Sequence, residues 1–152
     1  MASVLFLVGS TYGNAQQAAE DAADLLVKSG HSASVNDRAE LDDLVLSDAD
    51  VVVICTATIG EGDIPDNLLS LYEDVFDQRP RLDHINYGLI ALGDSSYEEF
   101  AGAGYLFKNL MQTLGAKAVL PMLVIDAIET PDPEEAVAEW VALLENTFDE
   151  LA

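Results

Sequence analysis

The sequence contains very few basic residues. Lysine and arginine together number 6, against 28 aspartates and glutamates, which gives a formal net charge of −22 at pH 7. A surface this acidic repels the phosphates of nucleic acids and of anionic membranes. We therefore expect neither nucleic acid nor a membrane as a partner. The charge instead favours basic proteins, which long-range electrostatic attraction brings to an acidic surface.

Cysteine and long hydrophobic runs are also scarce. The single cysteine, Cys55, excludes an internal disulfide and a cysteine-based metal site, so a reducing compartment is expected. The start of the chain lacks the charged segment and cleavage site of a signal peptide, and no apolar run approaches the roughly 18 residues that a membrane helix needs. We therefore expect a soluble cytoplasmic protein, in which Cys55 is a buried small hydrophobic residue.

The apolar segments that are present predict an α/β fold. Half of the 152 residues are hydrophobic, which is enough for one domain spanning residues 1–152. Strand-like and helical patterns alternate, which predicts a doubly wound parallel sheet with helices on both faces. The predicted strands are 4–8, 31–35, 50–55, 87–92 and 118–125; the predicted helices are 15–29, 68–76, 105–114 and 131–148. Pro121 indicates an edge position or a bulge in the last strand, and His31 is expected to be exposed.

The segment after the first predicted strand has the features of a phosphate-binding turn. Residues 10–15 are Ser-Thr-Tyr-Gly-Asn-Ala and lead directly into a helix. The unpaired N–H groups and the positive dipole end of a helix N-terminus bind anions without a cationic side chain. The turn lacks the Gly-Lys-Ser/Thr ending of NTPase loops and the G-x-G-x-x-G pattern of dinucleotide sites. The alternative is a turn that only caps the helix.

Two further unusual loops follow the third and fourth predicted strands. They span residues 56–67 and 93–104, and both carry acids and no lysine or arginine. The carboxyl ends of strands one, three and four meet in such a sheet, so the three loops are expected to form one site. Tyr97 could stack on a planar ring. The acids could also indicate a Mg²⁺ site of the receiver-domain type, but such a site needs paired acids after the first strand.

Together the three loops resemble those of the short-chain flavodoxins, of the small bacterial type related to MioC and YqcA and to the FMN domains of diflavin reductases. Residues 10–15 resemble the FMN phosphate loop, residues 56–63 with 65–67 the second flavin loop, and residues 92–100 the third. The resemblance covers the whole chain. It implies a flavodoxin-like, three-layer α/β/α fold with a doubly wound, five-stranded parallel sheet in the order 2-1-3-4-5.

The resemblance also implies FMN as the cofactor and a set of residues that contact it. These are Ser10, Thr11, Tyr12, Gly13, Asn14 and Ala15 in the first loop; Thr56, Ala57, Thr58, Ile59, Gly60, Glu61 and Gly62 in the second; Leu92, Gly93, Asp94, Ser95, Ser96, Tyr97 and Phe100 in the third; and Asp126. Two positions depart from the family pattern: Ala15 stands where many relatives have a hydroxyl residue, and Ile59 where diflavin reductases often have an aromatic. No catalytic residue and no metal ligand is predicted.

By the same resemblance, the expected function is that of a low-potential, one-electron carrier. It would accept electrons from a basic flavoprotein reductase of the ferredoxin/flavodoxin-NADP reductase type and pass them to acceptor enzymes, acting as a monomer without a substrate of its own. Two alternatives remain open. One is an FMN-dependent quinone or nitro-compound reductase of the same fold, and the other is a regulatory module without a cofactor.

Overall fold

The computed structural model describes residues 2–10, 13–58, 62–93, 101–126, 130 and 132–151. The strands are β1 (Ser3–Gly9), β2 (Ser32–Asn36), β3 (Val51–Ala57), β4 (Asn86–Gly93), β5 (Lys117–Ala118) and β6 (Leu123–Asp126). The helices are α1 (Asn14–Lys28), α2 (Leu41–Val45), α3 (Asp66–Gln78), α4 (Gly102–Thr113) and α5 (Pro133–Glu145), and a 3₁₀ turn covers Phe148–Leu151.

The strands form one parallel sheet in the order β2-β1-β3-β4-β5, with β6 also paired to β4. This confirms the predicted α/β fold and strand order. The buried run of β3 explains its central position, because β-branched residues covered on both faces are typical of parallel sheets. Its neighbours are β1, where Val8 pairs with Cys55, and β4, where Leu92 pairs with Ala57.

Two hydrophobic cores lie on opposite faces of the sheet and complete the three layers. On one face, α1 and α5 cover the strands, with Phe6, Leu26 and Trp140 buried between them. On the other face, α3 and α4 do the same, with Leu68 and Phe107 among the buried side chains. Burial of one such large side chain contributes about 1.5–3 kcal/mol.

The last predicted strand, 118–125, is divided into two short segments, so that the described residues form six strands where five were predicted. Both β5 and β6 pair with β4, and residues 119–122 separate β5 from β6. Pro121 lies in the interruption, and its carbonyl accepts a hydrogen bond from the Trp140 indole N–H at 3.2 Å. Gly88 makes room for that indole, because a Cβ there would lie 2.9 Å from Trp140 Cζ2. Pro121 thus interrupts the edge of the sheet, as expected of a residue without an N–H donor.

Other boundaries differ from the prediction. The acidic connection after β2 contains the short helix α2, in which the Asp43 carboxylate accepts a hydrogen bond from the Glu40 N–H at 2.8 Å. Helices α3 and α4 begin two and three residues earlier than predicted, at Asp66 and Gly102. Their first residues are polar or small and give no apolar periodicity, which is why the pattern missed them.

The prediction that His31 is exposed is wrong. Its Nδ1 accepts a hydrogen bond from the Ala2 N–H at 3.0 Å, and its Nε2 lies 3.6 Å from the Glu145 carboxylate. The Phe148 ring packs edge-on against the imidazole at 4.7 Å between centroids. These neighbours come from the two ends of the described chain, so the local sequence around His31 could not predict them.

Candidate cofactor-binding site

The predicted site residues that the structure describes lie along one edge of the sheet, at the carboxyl ends of four strands. Gly9 at the end of β1 pairs with Thr56 of β3, and Ala57 of β3 pairs with Leu92 of β4. Gly93, the last residue of β4, pairs with Asp126 of β6. Asp126 is therefore brought to the same edge as the three loops.

A hydrogen bond joins the two described sides of the first loop. The Gly13 N–H donates to the Ser10 hydroxyl oxygen at 2.8 Å, and Gly13 has a left-handed backbone with φ of 90°. Helix α1 then begins at Asn14. Among the described residues no side chain caps this helix, and its first turn contains no acidic residue. The positive end of the α1 dipole therefore faces a turn without a competing carboxylate.

The second loop is held against the start of α4 at two points. The Thr58 hydroxyl accepts a hydrogen bond from the Ala103 N–H at 3.3 Å, and the Thr58 N–H donates to the Leu92 carbonyl at 3.0 Å. Farther along, the backbones of Gly62 and Gly102 touch, since a Cβ at Gly102 would lie 2.8 Å from Gly62 Cα. The ends of the second loop thus have fixed positions relative to the segment that follows the third loop.

Asp126 ends β6 and is largely buried, with 7% of its surface exposed. Its backbone N–H donates to the Thr130 hydroxyl at 2.9 Å, and its carbonyl accepts from the Thr130 N–H at 2.9 Å. Thr130 therefore lies next to the end of β6 and is bound to it through both backbone groups of Asp126.

Cys55 lies beneath the first loop and is fully buried, as predicted. Its Sγ donates to the Ala15 carbonyl at 3.3 Å, which joins β3 to the first turn of α1. Burial raises the pKa of the Cys55 thiol to about 12. The thiol is thus protonated at neutral pH, and a buried, protonated thiol is a poor nucleophile.

Part of the predicted site falls outside the described residues. This part comprises Thr11, Tyr12, Ile59, Gly60, Glu61, Asp94, Ser95, Ser96, Tyr97 and Phe100. The stacking expected of Tyr97 belongs to it. Elsewhere in the described chain, no group of three or more histidine, cysteine, aspartate or glutamate side chains could hold a metal ion. No helix in that part of the chain is long and apolar enough to cross a membrane.

Two residues that shape this edge, Gly9 and Asn67, are absent from the predicted set of cofactor contacts. Asn67, in the first turn of α3, accepts a hydrogen bond from the Ser10 N–H through Oδ1 at 3.0 Å. A Cβ at Gly9 would lie 2.9 Å from both the Leu68 Cβ and the Thr56 hydroxyl. Asn67 is part of the second-loop motif, but its partner lies 57 residues away, so only the fold shows what it binds.

Comparison with known proteins agrees with this geometry. The sequence model of the flavodoxin family matches residues 7–140. The chain belongs to the flavodoxin family. Flavodoxin YqcA of Escherichia coli (strain K12) is 40% identical over 141 residues, which cover 93% of this chain and 95% of that one. A cysteine variant of a flavodoxin from Pseudomonas aeruginosa has a solved structure that matches with a TM-score of 0.87 and 40% identity, over 97% of this chain and 99% of that one.

A flavodoxin-like segment also occurs in a longer relative. The sulfite reductase [NADPH] flavoprotein alpha-component of Bacillus subtilis is 37% identical over 139 residues, which cover 91% of this chain but 22% of that protein. Membership of the flavodoxin family implies a flavin cofactor and a role in electron transport. The neutral, hydroxyl-bearing first loop and the acid-free start of α1 fit the phosphate of a flavin mononucleotide.

Proposed function

We propose that the protein binds one FMN and carries electrons one at a time from a flavoprotein reductase to acceptor enzymes. The observation that carries this proposal is the start of α1, a helix N-terminus with no acid in its first turn, at the sheet edge where β1, β3 and β4 end side by side. When bound, FMN supplies the redox chemistry. The residues of the protein bind and orient it, and none of them transforms a substrate.

We propose that each of the three loops binds a different part of the cofactor. The first loop, with Ser10, Thr11, Tyr12, Gly13, Asn14 and Ala15, binds the phosphate through hydroxyl and backbone N–H donors. The second and third loops, with the residues predicted above, enclose the flavin ring, and Asp126 borders them. The described contacts between Thr58 and Ala103 and between Gly62 and Gly102 support a ring site that both loops build together.

We infer FMN rather than FAD from the distribution of charge. The six basic residues are Lys28, Arg38, Arg79, Arg81, Lys108 and Lys117, and none lies in the three loops. An adenine diphosphate extension would bring a second phosphate to an acidic surface without a cation to bind it. Flavin released from the protein by heat and separated by chromatography identifies the cofactor directly.

The proposed partners are basic reductases and redox acceptor enzymes that meet a monomer of this protein by electrostatic attraction. The net charge of −22 supports this docking. The relative from Bacillus subtilis, in which the matching segment is 22% of a longer flavoprotein, supports a partnership with a second redox unit. We propose that this second unit is a separate chain here.

Rapid-mixing reduction tests the carrier function. The flavin-loaded protein is mixed with a ferredoxin/flavodoxin-NADP reductase and NADPH, and flavin absorbance is followed at several salt concentrations. We expect fast reduction by the reductase at low salt and a rate that falls steeply with ionic strength, since exposed charges are screened beyond about 10 Å at 0.1 M salt. Steady-state quinone reduction with NADPH as the sole donor and no reductase would instead support an enzyme, and protein purified without any flavin absorbance would support a cofactor-free module.

A further inference from the structure

The side chain of Asn67 makes three hydrogen bonds to the backbones of two other segments. Its Oδ1 accepts from the Ser10 N–H at 3.0 Å, and its Nδ2 donates to the Val8 carbonyl at 3.0 Å and to the Asp37 carbonyl at 2.9 Å. Asn67 belongs to α3, which follows the second loop. One amide therefore joins the end of β1, the start of the first loop and the segment after β2 to the helix that ends the second loop.

The packing around this amide leaves little room for movement. Gly9 lies between Val8 and Ser10, both of which Asn67 contacts, and a Cβ at Gly9 would lie 2.9 Å from Leu68 Cβ. Leu68, the neighbour of Asn67 in α3, is fully buried. The start of α3 is thus packed directly against the end of β1, and the amide fixes the direction in which the chain leaves the strand.

The hydrogen bond between Ser10 and Asn67 determines which hydrogen-bond donors of Ser10 remain free to bind an anion. Because its N–H is bound by Asn67, the Ser10 peptide has one orientation, and its hydroxyl oxygen accepts from the Gly13 N–H at 2.8 Å. A hydroxyl that accepts one hydrogen bond still has its own hydrogen to donate. In this arrangement the hydrogen can be directed to an anion in front of α1.

We propose that Asn67 is a positioning residue for the cofactor phosphate, acting through Ser10 and the turn that leads into α1. This inference rests on the proposed function, in which the first loop binds the phosphate of FMN. Asn67 would thus increase the affinity for FMN relative to that for riboflavin, which has the same ring but no phosphate. A merely structural role would weaken the binding of both flavins alike.

The test compares FMN and riboflavin in the Asn67→Ala variant and a matched control. Asn86 is the control because its side-chain amide also donates to a backbone carbonyl, that of Asp50 at 3.4 Å, but at the start of β4, the opposite end of the sheet. The full chain is stripped of flavin, and the dissociation constants for the two flavins are measured by fluorescence quenching in wild type, Asn67→Ala and Asn86→Ala.

We expect wild type to bind FMN more tightly than riboflavin. Asn67→Ala should lose about tenfold or more in FMN affinity, the scale of one hydrogen bond to a charged group, while riboflavin affinity changes by less than about threefold. In Asn86→Ala the ratio of the two affinities should equal that of wild type. An equal loss for both flavins, or no loss for either, in Asn67→Ala would overturn the positioning role while leaving the proposed function standing. Equal affinity of wild type for the two flavins would overturn the phosphate role of the first loop itself.

A second measurement uses only the wild-type chain and does not depend on how a variant folds. If Asn67 holds the first loop before the phosphate arrives, the Ser10 N–H is protected in the flavin-free protein. Hydrogen exchange followed by NMR should then show the Ser10 amide exchanging at least about tenfold more slowly than in an unfolded peptide. Exchange of this amide at the unfolded rate in the flavin-free protein would contradict the proposal.

Discussion

Helices α1 and α5 cover the same face of the sheet, but their N-termini are built in opposite ways. The start of α5 has the side chain of Asp132 as its cap, accepting from the Glu135 N–H at 3.1 Å, then Pro133, and the acids Glu134 and Glu135 in its first turn. These are the residues that stabilise a helix start. The start of α1 has none of them: no acid in its first turn and no side-chain cap among the described residues.

The difference is informative because acids are abundant in this chain. With 28 aspartates and glutamates in 152 residues, a first turn of α1 free of acid leaves the positive end of its dipole uncompensated by any carboxylate of that turn. At the start of α5 the Asp132 side chain satisfies the Glu135 N–H. On the proposed function, α1 leaves that role to the phosphate of the cofactor.

The largest expected effect comes from making the start of α1 resemble that of α5. Asn14 is exposed in the first turn of α1, and Asn14→Asp adds a carboxylate with almost no change in shape. Flavin-free protein should gain about 0.3–1 kcal/mol in unfolding free energy, because an acid favours the helix start. FMN affinity should fall roughly tenfold to a hundredfold by charge repulsion and a lost donor. Urea unfolding measures the unfolding free energy, and fluorescence titration measures the FMN affinity. If both quantities rose or both fell, the proposed difference between the two helix starts would be contradicted.

A second expected effect concerns Cys55, which anchors the first turn of α1 through the Ala15 carbonyl. The pKa of its thiol is raised from 9.0 to about 12 in the folded protein, so above pH 9 the unfolded chain loses this proton while the native one keeps it. Native stability should therefore fall with rising pH between about 9 and 12, by up to about 1.4 kcal/mol per pH unit. Cys55→Ala should lack this slope, as measured by urea unfolding at pH 8, 9 and 10. Equal slopes in the two proteins would argue against a buried thiol.

Removing the cap of α5 should affect stability alone. Asp132→Ala deletes the acceptor of the Glu135 N–H and should cost about 0.5–2 kcal/mol of unfolding free energy. FMN affinity should stay within about twofold of wild type, because α5 does not start in any of the three loops. Asp132→Asn is the matched control, since asparagine also caps a helix. A large loss of FMN affinity in Asp132→Ala would show that the two helix starts are not independent.

The smallest expected effect removes a charge but not a cap. Glu134→Gln in the first turn of α5 should lower stability by about 0.3–1 kcal/mol at low salt, and less at high salt, because the dipole interaction is screened. A neutral change near the start of α1, Gln17→Ala, removes no charge, although it deletes the hydrogen bond from Gln17 Nε2 to the Asp21 carboxylate at 2.9 Å. Because no charge near the helix dipole is lost, the dipole should contribute no salt dependence to the difference in unfolding free energy between Gln17→Ala and wild type. Chemical unfolding of both variants and wild type at two salt concentrations measures these differences.

Local patterns were sufficient for much of the fold. The β-branched run of β3 (Val51–Ala57) and its position beside β1 were predictable, because a continuous buried run occurs in the interior of a parallel sheet. The loops that follow β1, β3 and β4 could be assigned to one edge, because strand order alone brings their ends together. Cys55 was predicted to be buried from its position at the end of such a strand, and it is.

What escaped prediction depends on contacts between distant segments. In α4, Gly102 allows a close approach to the Gly62 backbone and Gly104 to the Ala91 Cβ, and neither contact can be predicted from the local sequence. Asn67 binds backbone atoms 30 to 59 residues away in the sequence. The packing of His31 likewise needs Phe148. The assignment of cofactor contacts to residues of the three loops and to Asp126 stays a prediction, and part of those residues lies outside the described part of the chain.

The contacts of His31 have a consequence for engineering of the chain. Ala2 donates to its ring and Phe148 packs against it, so residues 2 and 148 meet at one imidazole. Ala2 precedes β1 and thus lies at the amino end of the sheet, opposite the edge where the loops converge. A short peptide that covalently joins the two positions would close a ring of nearly the whole chain. By loop entropy, such cyclisation would stabilise the native state by about 4–5 kcal/mol without approaching the cofactor edge.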